Sequence, residues 1–241
     1  MTESGFFLLF SCEHGGNQVP PPWTRLFQGQ ESLLETHRGY DIGVALLARR
    51  LAGEMAAPLH LALVSRLLVE LNRSLGHPAL FSEFSRTLDP NERQALLQEF
   101  YHPYRDAVIR DIEQALKCRC RVCHISVHSF APQLHGQVRN ADIGLLYDPQ
   151  RRREKGFCLN WQKNIQQKGE GWRVRRNYPY RGSADGFVTS LRRRFAEEHY
   201  LGIELELNQL WPLHNEERWQ ALQQLIGATL QETLLDQARS E

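Results

Sequence analysis

Neither sign of charge is in real excess in this chain: 29 lysines and arginines stand against 28 aspartates and glutamates, a formal net charge of +1 over 241 residues. A surface so balanced exerts no long-range pull on nucleic acid or anionic lipid. Its arginine runs, Arg151-Arg152-Arg153 and Arg192-Arg193-Arg194, lack clustered aromatic platforms and read as solvated faces, so no nucleic-acid partner is expected. Long apolar runs are missing too, and none approaches the roughly 20 residues of a membrane span. No basic stretch followed by an apolar core opens the chain, so the expected compartment is the cytoplasm, with no membrane partner. Cysteine is scarce and odd in number: Cys12, Cys118, Cys120, Cys123 and Cys158. That argues against a disulfide framework. Cys120 and Cys123 form a C-x-x-C, but no second ligand pair matches it and it runs straight into an apolar strand, so it reads as incidental. Repeats and low-complexity segments are absent as well. The expectation is one domain over residues 1–241, with nothing in the sequence that sets the oligomeric state.

What is present alternates between strands and helices. Phe6 to Phe10 is an apolar run that ends in Glu13-His14-Gly15-Gly16, where glycines let the backbone turn. Ile42 to Ala52 reads as a helix with Asp41 near its positive end. Leu59 to Val64 and Leu67 to Leu71 are short apolar runs. Asp89-Pro90-Asn91-Glu92 opens a helical stretch to about Lys117, Asp89 being the cap and Pro90 a first-turn residue. Val122 to Val127 reads as a central strand ending at His128, with Ile143 to Leu146 and Ile203 to Leu207 as further strands. Glu216 to about Ala238 closes the chain as an amphipathic helix. Such alternation predicts an α/β fold with a mixed, largely parallel sheet.

Four places carry residues suited to chemistry. His14 and His128 both leave strand ends, where ligands bind in open α/β sheets. Two or three such ligands with an open position for water, plus a carboxylate that accepts its proton, are the needs of a zinc hydrolase. Glu204 and Glu206 lie two apart on one face of an apolar strand, where an unused charge would be costly. Ser65-Arg66 and Glu70-Leu71-Asn72-Arg73 bring guanidinium groups that bind carboxylates in bidentate fashion. Alternation would put Cys12 on the face of His14, but a buried cysteine is the plainer reading.

Taken in order, Ser11 to Pro20 (Ser-x-Glu-His-Gly-Gly-Asn-x-x-Pro), Tyr40-Asp41-Ile42-Gly43, Ser65-Arg66 with Leu71-Asn72-Arg73, His128-Ser129-Phe130 and Glu206-Leu207-Asn208-Gln209 resemble the N-formylglutamate amidohydrolase family. The resemblance covers nearly the whole chain. It implies a three-layer phosphorylase/hydrolase-like α/β fold, related to zinc carboxypeptidases and aspartoacylase-type deacylases. It also implies a Zn2+-dependent amidohydrolase acting on a small-molecule N-acyl amino acid, N-formyl-L-glutamate first, in histidine degradation. On this resemblance His14 and His128 are metal ligands, Asn72 and Arg73 clamp the substrate carboxylate, and Glu206 is the general base. Arg66 polarises the scissile carbonyl or holds a carboxylate. Tyr101-His102-Pro103-Tyr104-Arg105 and Arg139 to Gly144 also look family-like, with helix packing and shaping of the site as their roles. Pro179 to Gly186 reads as a loop that closes over substrate or recognises its acyl end, or as an ordinary surface loop.

The sequence departs from the relatives at one position. Where they carry glutamate three residues after the first histidine, this chain has Asn17, whose amide oxygen is a weaker zinc donor. Asp41 is the favoured third ligand, with Asn17 and Glu13 as alternatives. Glu206 is preferred to Glu204 as base because Gln209 follows it at the family's spacing. The rival readings are another N-acyl or peptide substrate, and a binding protein that keeps the fold without catalysis.

Overall fold

The structure, a computed structural model, describes residues 6–239; residues 1–5 and 240–241 of the expected single domain lie outside the described residues. Six strands form one sheet: β1 (Phe6–Cys12), β2 (Leu59–Leu61), β3 (Arg121–Phe130), β4 (Ile143–Leu146), β5 (Val174–Arg176) and β6 (Tyr200–Asn208). Their order across the sheet is β2-β1-β3-β6-β4-β5. The strands from β2 to β6 run parallel, β4 is antiparallel to β6, and β5 is parallel to β4. This is the mixed, largely parallel α/β sheet expected. Among the described residues no helix is long and apolar enough to cross a membrane.

Alternation along the strands sorts the two faces. Phe6, Leu8, Phe10 and Cys12 of β1, Cys123, Ile125 and Val127 of β3, and Ile203, Leu205 and Leu207 of β6 point into one apolar core. There they meet α1 (Val44–Glu54), the helix Arg152–Lys168 and the closing helix Glu216–Arg239. The opposite face is apolar only near the start of the strands. Leu9, Val122 and Tyr200 pack there against the helices His102–Lys117 and Phe187–Arg194. Towards the strand ends it turns polar: Ser11, Ser126 and Glu204 share one register row, and His128 and Glu206 are neighbours in the next.

Several boundaries differ from expectation. The run 59–64 is strand only over Leu59–Leu61. The run 67–71 is irregular, and its Leu67, Leu68, Val69 and Leu71 fill a second core with Trp23, Phe27 and Leu96. The stretch from Asp89 is helical as expected, with a capping box between Asp89 and Glu92, but it passes through a π-helical turn at Leu97–Tyr101. Helix Arg152–Lys168 and strand Val174–Arg176 were not anticipated. Nor is Arg192 a solvated residue: it is 8% exposed, its Nε lies 3.0 Å from Glu154 Oε2, and one amino group donates to the Gly202 carbonyl at 2.7 Å. A buried guanidinium is tolerable when paired and hydrogen-bonded in this way.

Candidate active site

β1 ends at Cys12, so alternation does not carry through to His14. Cys12 stays in the apolar core, where burial pushes its thiol well up, while the chain turns and sends Glu13 and His14 to the polar face. Gly16 makes that turn possible: a Cβ there would lie 2.4 Å from the Leu63 carbonyl oxygen, so only glycine lets the two segments touch.

His14 and His128 then face one another, ring centroids 5.0 Å apart, with Asp41 between them. Asp41 Oδ2 lies 3.4 Å from His14 Nδ1 and 3.0 Å from His128 Nδ1, and it also accepts the Ser129 backbone N–H at 3.2 Å. One ligand atom from each of the three residues falls within a 4.8 Å span, and all three residues are buried. Among the described residues this is the one group of histidine, cysteine, aspartate and glutamate side chains arranged to hold a metal ion. The far nitrogens are occupied too. His14 Nε2 contacts the Glu70 carboxylate. His128 Nε2 lies 3.0 Å from Glu13 Oε2 and 2.9 Å from Ser126 Oγ. A carboxylate behind each imidazole fixes its tautomer and leaves the Nδ1 side for a cation.

Glu13 is completely buried, accepting from Ser126 Oγ at 2.6 Å and from the Tyr104 hydroxyl at 3.0 Å. Burial alone would raise its pKa, but the hydrogen bond and charge of His128 outweigh that and hold it below the usual carboxylate range. Asp41 behaves alike: burial opposes ionisation, and His14, His128 and Arg66 hold it ionised. Glu70 is kept ionised against burial by Arg66 and His14. For His128, burial favours the neutral ring, yet Asp41 and Glu13 hold it protonated well above its ordinary range. Three ionised carboxylates around two imidazoles, compensated by the Arg66 guanidinium and the His128 ring proton, suit a divalent cation that would displace that proton.

Next to this cluster a cavity of about 150 Å3 is lined by Asn72, Arg73, Arg181, Asp185, Glu204 and Glu206 along with His14, Asp41, Arg66 and His128. Glu206 is 5% exposed, and its Oε2 is buried with no hydrogen-bond partner. Burial pushes its pKa up to about 8, and the Asp41 and Glu204 charges add to this while His128 works against it. A buried carboxyl oxygen without a partner at the wall of a cavity is a candidate for chemistry. Glu204 is raised as well, chiefly by burial, but it faces Arg192 at 3.8 Å. Gly144 sits opposite Glu206, where its missing Cβ lets Tyr178 and the loop that follows approach.

The residues picked from sequence thus converge: His14, Asp41, Arg66, Asn72, Arg73, His128 and Glu206 all line the one cavity. Asn17 is not among the lining residues, and Glu13 lies behind His128. Arg66 is already engaged, its Nε and one amino group on Glu70 Oε2 at 2.9 and 2.7 Å and the other on Asp41 Oδ1 at 3.1 Å. Arg73 donates to the Asp185 carbonyl at 2.6 Å, and Asn72 Oδ1 accepts the Phe187 N–H at 2.7 Å. The loop bearing this pair is gripped from behind. The Tyr101 hydroxyl donates to the Arg73 carbonyl at 2.8 Å and Arg105 donates to the Leu71 carbonyl at 3.0 Å, a positioning role beyond helix packing. Glu70 had no role assigned from sequence, and Tyr104 only a share in helix packing and shaping of the site. Their contacts with His14 and Glu13 span 56 and 91 residues, which no local pattern signals.

A family profile described as N-formylglutamate amidohydrolase matches residues 6–211. Among solved structures the chain resembles the gene product Atu2144 of Agrobacterium tumefaciens at 26% identity and TM-score 0.80, covering 100% of this chain and 94% of that one. It also shares the fold of an N-formylglutamate amidohydrolase from Ralstonia eutropha JMP134, with 19% identity, TM-score 0.72 and coverage of 98% and 95%. A comparison with curated proteins gives no match.

Proposed function

The chain belongs to the N-formylglutamate amidohydrolase family, and from that premise we propose that it is a zinc-dependent amidohydrolase of N-acyl amino acids, with N-formyl-L-glutamate the leading substrate. The observation that carries this reading is the meeting of His14, Asp41 and His128 beside the unpartnered Glu206 carboxylate, in a cavity also lined by Asn72 and Arg73. The donor set fits the ion: two imidazoles and a carboxylate match zinc's preference and leave a position open for water. Zinc held by these three residues would lower the pKa of a water towards neutrality and polarise the acyl carbonyl.

The protein's own groups do the rest. Asn72 and Arg73 hold the amino-acid carboxylate and so fix the amide against Glu206. Glu206, whose carboxyl the charge of zinc at this site would return to its ionised form, takes a proton from the attacking water as the water oxygen bonds to the acyl carbon. Arg66 stabilises the negative charge that develops on the acyl oxygen. Glu206 then returns its proton to the nitrogen as the C–N bond breaks, releasing the carboxylic acid, formate in the leading case, and the free amino acid. Glu13 and Glu70 orient the imidazoles and take no part in bond breaking.

The test combines metal removal with one substitution. Exhaustive chelation abolishes hydrolysis of N-formyl-L-glutamate and added zinc restores it, whereas His128→Ala loses zinc binding and hydrolysis together. Full activity of the chelated enzyme, with metal content verified by elemental analysis, would refute the metal mechanism.

A further inference from the structure

A second cavity, of about 220 Å3, adjoins the first. The two share Asp41, Arg66, Ser129 and Tyr180 as a common wall. The clamp residues Asn72 and Arg73 line only the first, whereas His37, Phe130, Leu134 and Arg139 line only the second. An amide bond attacked beside Asp41, with its amino-acid carboxylate in the clamp, would sit at the wall the two cavities share, with the second cavity open to its acyl group. A formyl group, which carries only hydrogen on that carbon, would leave this space unused.

The chemistry of the walls indicates what fills it. The Arg139 guanidinium lies 4.9 Å from the Tyr180 ring centroid and 5.9 Å from that of Phe130, and it donates to the Tyr180 hydroxyl at 3.0 Å. These contacts fix the planar group without neutralising it: among the described residues no carboxylate pairs with Arg139. Arg38, at the same cavity, is by contrast paired with Glu83. His37 is held below its ordinary range first by burial and then by the charges of Arg38, Arg66 and Arg139, with Asp41 opposing. Phe130, Ala131 and Leu134 supply an apolar floor that suits a short methylene chain.

We propose that the second cavity is an acyl subsite for an acyl group longer than formyl that ends in a carboxylate, with Arg139 as the residue that reads that end. The inference rests on the amidohydrolase reading above and names the substrate class that reading leaves open. A fixed guanidinium fork binds a carboxylate bidentately, so discrimination against an uncharged chain of equal length is expected to be about tenfold or more.

Zinc-loaded protein is assayed with N-formyl-, N-pentanoyl- and N-succinyl-L-glutamate, and binding of the last two to the Glu206→Gln variant is measured by calorimetry. The expected result is a kcat/KM for the succinyl compound about tenfold or more above that for the pentanoyl compound, with a matching ratio of dissociation constants. Arg139→Met brings both ratios to near one, and Leu134→Trp, which narrows the cavity, shifts relative kcat/KM from both long acyl groups towards formyl. Hydrolysis of the formyl compound with a succinyl-to-pentanoyl ratio near one overturns the subsite alone. So does a ratio that survives Arg139→Met. If Arg139→Met instead erodes the preference for N-formyl-L-glutamate over N-formyl-L-norleucine, Arg139 reads the amino-acid side chain and the acyl assignment falls. Failure to hydrolyse any of these compounds overturns the amidohydrolase reading and the subsite with it.

Discussion

Replacing Glu13 by glutamine changes the charge behind His128 and almost nothing else. In the native site Glu13 Oε2 faces His128 Nε2 at 3.0 Å and receives the Ser126 hydroxyl, while Oε1 receives the Tyr104 hydroxyl. A glutamine that keeps its oxygen at the Oε2 position still accepts from both His128 and Ser126. Its NH2 then faces Tyr104, whose hydroxyl can turn its proton to the His60 carbonyl, already 3.1 Å away. The tautomer survives, and what is lost is the difference between a charged and a neutral acceptor, about 1–1.5 kcal/mol. That corresponds to roughly a tenfold weaker hold on zinc, the lower end of the range for carboxylates that support metal-ligating histidines. Glu13→Met, of similar length but without acceptors, would strand the His128 Nε2–H, Ser126 and Tyr104 donors and weaken zinc by about a hundredfold. The assay is competition for zinc against a chromophoric chelator at constant pH, with thermal unfolding as a check that each variant is folded. A glutamine variant that binds zinc as tightly as the native protein would refute the reasoning, because Glu13 would then not be orienting the metal side of His128.

Two further outcomes test other parts of the molecule. Glu206→Gln should bind zinc and substrate with constants near native while kcat falls by about two to four orders of magnitude, the usual worth of a general base; near-native kcat there, with Glu204→Gln inactive, would move the role one position pair along β6. His124, wholly buried between Ser11 and Tyr200, is held down to about 4 chiefly by burial. The unfolded chain takes that proton near 6.5 and the folded one only near 4, so stability from this residue is complete above 6.5 and falls as pH drops through the window, by about 3 kcal/mol in all. Denaturant unfolding at pH 7 and pH 4 should show a smaller acid loss in His124→Gln than in the native protein, and equal losses would sink the assignment.

The sheet was legible in the chain because β1, β3 and β6 each carry enough apolar residues in period two to declare both their extent and their faces. Helix Arg152–Lys168 was not, since its buried Phe157, Cys158, Trp161 and Ile165 sit in a segment opened by three arginines and dotted with lysine and glutamine. The burial of Arg192 depends on Glu154, 38 residues away, and composition cannot reveal an ion pair between distant segments. Leu67 to Leu71, legible only as an apolar run, joins no strand and packs as irregular chain against Trp23 and Leu96.

The same distinction between local pattern and distant pairing explains the site. The polar residues that local pattern exposes are those on strands, where His128 and Glu206 stand out against apolar neighbours and share a register row. Asp41 was favoured from sequence through the family resemblance, not through local pattern: the turn before α1 brings it between two histidines 27 and 87 residues away. Its position also gives physical content to Asn17. A carboxylate three residues after His14 would be a natural third donor, but here Asp41 already occupies the space between the imidazoles, tied down by Arg66 and the Ser129 N–H. Asn17 lies outside the lining of the active-site cavity, and the three carboxylates near the imidazoles, Glu13, Asp41 and Glu70, are each held ionised by partners already in place. An uncharged amide at position 17 is therefore compatible with a complete group of possible ligands, because His14, Asp41 and His128 come together without it.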